Sequence, residues 1–204
     1  MLTIRSSPGS PFGRKVRIAV SVLGLDDKVR IESASTQDAA DPLQKQNPLG
    51  KIPVLQLEDG QWIYDSPVIC EYFDQLHNGE KLFPTSFPER LVALRRQSLG
   101  DGMLDTMLMW RGEATRPPEQ QSIKHMQAWR LKTKVSVDML EEEADALAAS
   151  RFSIGHIALG TALGYIDFRF PELAWRDRHP RLKMWHDGFV ARPSVRANEP
   201  VDEP

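Results

Sequence analysis

The sequence predicts an α/β layer over residues 1–78, a linker at 79–88 and an all-α domain over 89–204. Three observations lead there. In the first part of the chain, short runs with the two-residue alternation of strands are interleaved with amphipathic helical runs. A stretch with Asn78, Gly79, Pro84 and Pro88 and few periodic positions follows. Beyond it the strand signals stop, and every periodic run has helical spacing.

Leu2 and Ile4 alternate with Thr3 and Arg5, which predicts a short half-buried strand. Serines, a glycine and prolines fill 6–11. Val16, Ala19, Val20 and Leu23 then recur at helical spacing, and Gly24 suits the stop. Val29 and Ile31 make a second strand, so the opening implies a parallel pair with a right-handed crossover. Residues 34–50 are polar and irregular, with room for a short helix. In PVLQLEDGQWIYD two β-prone runs flank Asp59-Gly60, a hairpin signal, so strands three and four are antiparallel. Ser66-Pro67 reads as an N-cap with proline at the first helical position. After the linker, helices are predicted over 89–113 and 119–148, with Pro117-Pro118 between them. The second has a stripe from Met126 through Trp129, Thr133, Val137, Leu140 and Ala144 to Leu147. Ser153 caps a third helix running to about Phe170. Shorter pieces reach Arg192, and the tail ANEPVDEP reads as frayed.

Composition narrows the function classes. The 204 residues suit two domains of roughly 100–150 residues at most, and 41% hydrophobic residues can build a core for each. A net charge of −2 gives no footprint for a phosphate backbone, so nucleic acid is not an expected partner. Cys70 is the only cysteine, which leaves no internal disulfide and no CxxC redox or zinc site. The start MLTIRSSPGS lacks the apolar core of a signal peptide. The longest smooth apolar stretch, 154–166, is shorter than the ~20 residues of a spanning helix. The expected location is the cytoplasm, with no membrane partner and no metal.

Three motifs carry chemistry. In SSPGSPFGRKVRIAV, Ser10 precedes Pro11 at the start of the first helix. A serine there can be a plain cap. Its hydroxyl can also accept from a helix amide while donating its own proton outward, at the positive end of the helix dipole, which suits a bound thiolate. In NPLGKIPVL, Pro53 opens a buried strand and discards a ladder donor; a cis Ile52–Pro53 bond would explain it and expose Ile52's backbone groups to an extended peptide. A trans proline on an edge strand is the plainer alternative. In YDSPVICEY, Ser66 and the first helix amides suit a carboxylate, and Asp65 suits an ammonium, together an α-amino acid head group. The plainer alternative is a cap beside a surface acid.

Taken in this order and spacing, SPFGRKVRIAV, NPLGKIPVL, YDSPVICEYF and the closing FVARPSVRANEP resemble the glutathione transferase family over essentially the whole chain. The resemblance implies a thioredoxin-like first domain with cis Pro53 and an all-α second domain. It implies that Ile52 pairs with the cysteinyl backbone of glutathione, that Asp65 and Ser66 hold its γ-glutamyl end, and that Lys51 meets the glycyl carboxylate. Phe12, in the SPF motif, joins that set. Ser10 stands where the omega-like branch carries cysteine and, because it sits at the helix start, is the expected thiol-activating residue; alignment to other serine branches would make it Ser7 instead. The first tyrosine is Tyr64, so no N-terminal tyrosine competes for the role. The electrophile pocket would draw on Gly9, Met107, Trp110 and Arg111. A homodimer is implied too, with Leu91, Leu94, Met103 and Met107 able to cover two faces of the 89–113 helix.

The expected reaction joins the glutathione thiolate to a small hydrophobic electrophile. The alternatives are a glutathione-dependent disulfide or peroxide reductase on the same scaffold, and a non-enzymatic interaction module. One departure from the family pattern is Ser153-Ile154-Gly155-His156, where Asp commonly completes the Ser/Thr-x-x-Asp box; His156 reads as structural. Gly160 and Gly164 in the same helix read as close packing, and Cys70 as a small core residue.

Overall fold

The computed structural model describes residues 1–202. It divides into two compact units, residues 1–90 with 193–204 and residues 91–192. This corrects the expected boundaries of 1–78, 79–88 and 89–204 in two places. The segment after residue 76 belongs with the first unit, because Asp74 is buried and accepts from the amides of Leu82 (2.6 Å) and Phe83 (3.1 Å). Lys81 Nζ ties the same turn to the carbonyls of Asp74 and His77. The tail is not frayed at its start: Val195 is buried, and Asn198 accepts from Arg14 Nε (2.9 Å) and donates to Ser21 Oγ (3.1 Å).

In the first unit, β1 (Leu2–Ser6) pairs parallel with β2 (Val29–Ser33) across α1 (Pro11–Val22). A short α2 (Leu43–Gln46) precedes β3 (Val54–Gln56) and β4 (Trp62–Ile63), both antiparallel to their neighbours, in the order β2-β1-β3-β4. Gly60, at φ 87°, takes the left-handed position of the hairpin loop that a side chain would strain. Helix α3 (Ser66–Gln75) packs on α1. The core joins Ile4, Val16, Ile18, Leu55, Ile69 and Phe73.

Strand β1 is buried on both faces, not one. The reason is Arg5, whose guanidinium donates to Asp41 (2.9 and 3.0 Å), Gln46 (2.7 Å) and the Ser33 carbonyl (3.1 Å). These partners fold the polar 34–47 segment over the strand. Asp41, which also accepts from the Ser35 and Leu43 amides, is held below the usual carboxylate range, first by the Ser35 bond.

The second unit is all helical within the described residues. Helix α4 (Phe87–Ala114) enters it at Leu91, and α5 (Ile123–Glu142), α6 (Ala144–Ala149), α7 (Ile154–Arg169) and α8 (Pro180–Val190) follow; α9 (Pro193–Arg196) returns to the first unit. The predicted 119–148 helix is broken at Glu143, which Arg95 holds at 2.5 Å, yet Thr133, Val137, Leu140, Ala144 and Leu147 stay buried on one stripe. Helices α4 and α7 cross at glycines on both sides: a Cβ on Gly100 would sit 2.6 Å from the Ala158 backbone, and one on Gly155 2.7 Å from Arg96 Cβ. Gly160 admits the Phe189 ring of α8.

Ser153 and His156 form a complete box at the start of α7. His156 Nδ1 accepts from the Ser153 amide (3.1 Å), and Nε2 faces the Leu147 carbonyl (3.1 Å), where it donates. Imidazole thus returns the bond that a carboxylate would make. Burial lowers its pKa to about 4, so the ring is neutral in the fold.

Candidate functional site

Strand register brings the three sequence motifs to one end of the sheet. Arg5 of β1 pairs with Val54 of β3, so the loop leaving β1 after Ser6 lies beside Ile52–Pro53 entering β3. Leu55 pairs with Ile63 of β4, so the chain leaving β4 through Tyr64 to Asp65 emerges at the same end. Ser7 to Ser10, Ile52–Pro53 and Asp65–Ser66 therefore share one edge of the first unit.

Ser10 is the N-cap of α1, with Pro11 as first helical residue. Its Oγ accepts the Gly13 amide at 3.1 Å, its carbonyl accepts the Arg14 amide, and its own amide donates to Ser7 O at 3.2 Å. With that lone pair used, the hydroxyl still has a proton to donate. No acid lies in the first turn of α1 to cancel its positive end. Ser7 is half-buried, and Phe12 is half-buried with Lys15 Nζ 5.8 Å from its ring centre.

The Ile52–Pro53 bond is cis, and Ile52 lies outside both strand ladders, half-buried. Asn47, fully buried, pins this approach: its Nδ2 donates to Lys51 O (2.9 Å) and its Oδ1 accepts the Leu49 amide (3.0 Å). Lys51 itself is exposed.

At the third motif the cap shifts by one residue. Asp65, joined to Tyr64 by a cis bond, is the N-cap of α3, and Ser66 is already helical. The Asp65 carboxylate makes no cap bond and is exposed, while Ser66 is 1% exposed. The Asp65 carbonyl still accepts the Ile69 amide at 3.0 Å. Helix α3 has no acid in its first turn, so its free amides keep their pull on an anion.

Of the proposed electrophile-pocket residues, Gly9 belongs to the first unit and the others to the second. Met107 and Trp110 are buried, with Trp110 stacked on Phe170 at 4.5 Å, and Arg111 is exposed. Two residues at the site edge lie inside the sequence motifs without being singled out there. Asn47 has a local signal, the Asn-Pro-Leu-Gly turn. Arg17, whose guanidinium reaches the Ser7 and Pro8 carbonyls, has none, since its partners lie ten and nine residues back. Among the described residues no group of three or more His, Cys, Asp or Glu side chains could hold a metal ion.

Residues 5–81 match the family described as "Glutathione S-transferase, N-terminal domain", and residues 124–188 match "Glutathione S-transferase, C-terminal domain". The chain is 31% identical over 195 residues to the uncharacterized GST-like protein YibF of Escherichia coli K12, covering 94% of this chain and 95% of that protein. A glutathione transferase family member from Pseudomonas fluorescens Pf-5 with bound glutathione has a TM-score of 0.93 at 38% identity, covering 99% of this chain and 100% of that one. A second structure from the same source, with bound S-(propanoic acid)-glutathione, has a TM-score of 0.89 at 38% identity and full coverage of both chains (100% and 100%). With both of its parts matched, the chain belongs to the glutathione S-transferase family.

Proposed function

We propose that this protein binds glutathione at the edge shared by Ser10, Ile52 and Asp65 and joins its thiolate to a small hydrophobic electrophile. The convergence of the three motifs by strand register supports this most directly. The glutathione and the glutathione conjugate held by the Pf-5 relative support the same reading. Asp65 takes the γ-glutamyl ammonium, and Ser66 with the α3 amides takes its carboxylate. Ile52 pairs with the cysteinyl backbone, Lys51 meets the glycyl carboxylate, and Phe12 flanks the tripeptide.

A free thiol of this kind has a pKa near about 8.5, so it is mostly protonated at neutral pH. Lowering it by about two units takes ~2.7 kcal/mol of preference for the thiolate. A hydroxyl donor to a charged acceptor contributes ~1.5–3 kcal/mol, and a helix N-terminus ~0.3–1 kcal/mol. Ser10 at the start of α1 combines the two. The thiol proton passes to solvent, and the sulfur lone pair forms a bond to carbon. The leaving group departs with the bonding electrons or, at an activated double bond, the carbanion takes a proton.

Calorimetry with glutathione, followed by an aryl halide and disulfide panel, tests this. Asp65→Ala is expected to weaken glutathione binding by ~2–5 kcal/mol while changing stability by no more than ~0.5 kcal/mol. Unchanged affinity removes Asp65 from the site. Turnover of a disulfide with none of an aryl halide selects the reductase alternative, and no glutathione binding selects the interaction module. The protein is also proposed to work as a cytoplasmic homodimer. Helix α4 buries Met103 and Met107 on one face and leaves Leu91, Val92 and Leu94 exposed. A sedimentation mass of one chain at micromolar concentration contradicts the dimer.

A further inference from the structure

Arg17 is a cation under the serine loop. Its side chain runs back along α1, as helical side chains do. Nη1 donates to Ser7 O (3.3 Å) and lies 3.5 Å from Ser6 Oγ, and Nη2 donates to Pro8 O (3.3 Å). Ser7 O is the acceptor that also holds the Ser10 amide, at 3.2 Å, and Ser6 Oγ donates to it at 3.4 Å. The guanidinium is therefore one bond removed from the backbone of Ser10.

The space it occupies is built by Gly13. A Cβ there would fall 1.9 Å from Ser6 Oγ and 3.2 Å from Arg17 Nη1. Gly13 is also the residue whose amide donates to Ser10 Oγ. One glycine thus admits the Arg17 fork and caps the Ser10 hydroxyl. Arg17's partners are neutral oxygens, and among the described residues no carboxylate pairs with it. Charges elsewhere on α1 and on α3 have other partners: Arg14 donates to Asn198 O, Asp74 accepts from the Leu82 and Phe83 amides, and Glu71 pairs with Arg90. Burial of the guanidinium pulls its pKa down, yet an arginine stays protonated across the working range.

We propose that Arg17 is a positioning residue for thiol activation, gripping the Ser7 and Pro8 carbonyls so that Ser10 is held at the α1 N-terminus while its unpaired charge favours an anion at that loop. This role rests on the glutathione function proposed above. Lysine would supply the charge without the fork, and glutamine would supply neither the charge nor two matched donors.

The test is the thiolate absorbance of bound glutathione against pH, for wild type, Arg17→Lys and Arg17→Gln, with calorimetric affinity and melting temperature alongside. Arg17→Gln is expected to raise the pKa of the bound thiol by about one unit and cut neutral-pH kcat about threefold, with glutathione KM little changed. Arg17→Lys is expected to recover part of that loss. An Arg17→Gln curve that overlays wild type overturns the role. If Arg17→Gln does not fold, Arg17→Lys decides: a raised thiol pKa at unchanged melting temperature supports the role, and an overlay overturns it. A wild type that binds glutathione yet shows no variant effect leaves the proposed function standing without Arg17. A wild type that binds none overturns both.

Discussion

Ser10 and Ser7 sit three residues apart and do different things in the fold. Ser10 spends a hydroxyl lone pair on the Gly13 amide and keeps its proton, whereas Ser7 contributes its carbonyl to Ser10 and Arg17. Ser10→Ala is expected to raise the pKa of bound glutathione and slow conjugation near neutral pH, with affinity mostly kept. It also removes a helix cap, so a stability loss of ~0.5–2 kcal/mol accompanies it and does not by itself report on catalysis. The discriminating measurement is the thiolate absorbance curve of Ser10→Ala beside Ser7→Ala. A Ser10→Ala curve that overlays wild type, with Ser7→Ala shifted to higher pH, assigns the role to Ser7. The pieces of this site that are legible in the sequence are local ones: a serine before a proline, a proline opening a strand, an acid before a serine. The α3 cap is misplaced by one residue because Asp65 and Ser66 are both good cap residues, and only backbone geometry chooses between them. Arg5 looks like the solvent face of a strand because its carboxylate partner, Asp41, is 36 residues away and inside an irregular segment.

At the scale of elements, the start of α7 sets a pH dependence. His156 has a folded pKa of about 4 against an ordinary 6.5, because burial disfavours its charged form. As pH falls below 6.5 the unfolded chain takes up this proton first. The stabilisation is therefore complete above that value and is lost progressively down to about 4, by up to ~3 kcal/mol. His156→Gln keeps a side chain able to accept the Ser153 amide, and is expected to flatten this part of the profile while leaving neutral-pH stability close to wild type. Urea midpoints measured from pH 7 to pH 4 check it, and equal slopes for the two proteins count against it. Long helices are the most legible elements here, since the stripe from Thr133 to Leu147 survives the break at Glu143 with its buried face intact. Glu143, at the break, pairs with Arg95 of another helix, a contact that no periodicity reports.

At the scale of the molecule, the first unit is discontinuous, built from residues 1–90 and 193–204. Ending the chain at Arg192 removes buried Val195 and both Asn198 bonds to α1. Burial of one such side chain is worth ~1.5–3 kcal/mol and each hydrogen bond ~0.5–1.5 kcal/mol. The truncated chain is expected to lose a few kcal/mol and to be cut faster by protease within the first 90 residues. Superimposable urea curves for the two lengths contradict this.

The Asn198 contact also has a meaning in time. Translation delivers residues 1–90, then the whole helical unit, and only afterwards the segment that fastens to Arg14 and Ser21. Domains generally fold as they emerge, the N-terminal one first. Here the N-terminal unit waits on its own clasp through the synthesis of an entire second unit. The helix that waits is α1, the one that Ser10 caps. A ribosome stalled before residue 193 would therefore display a serine loop on an unfastened helix.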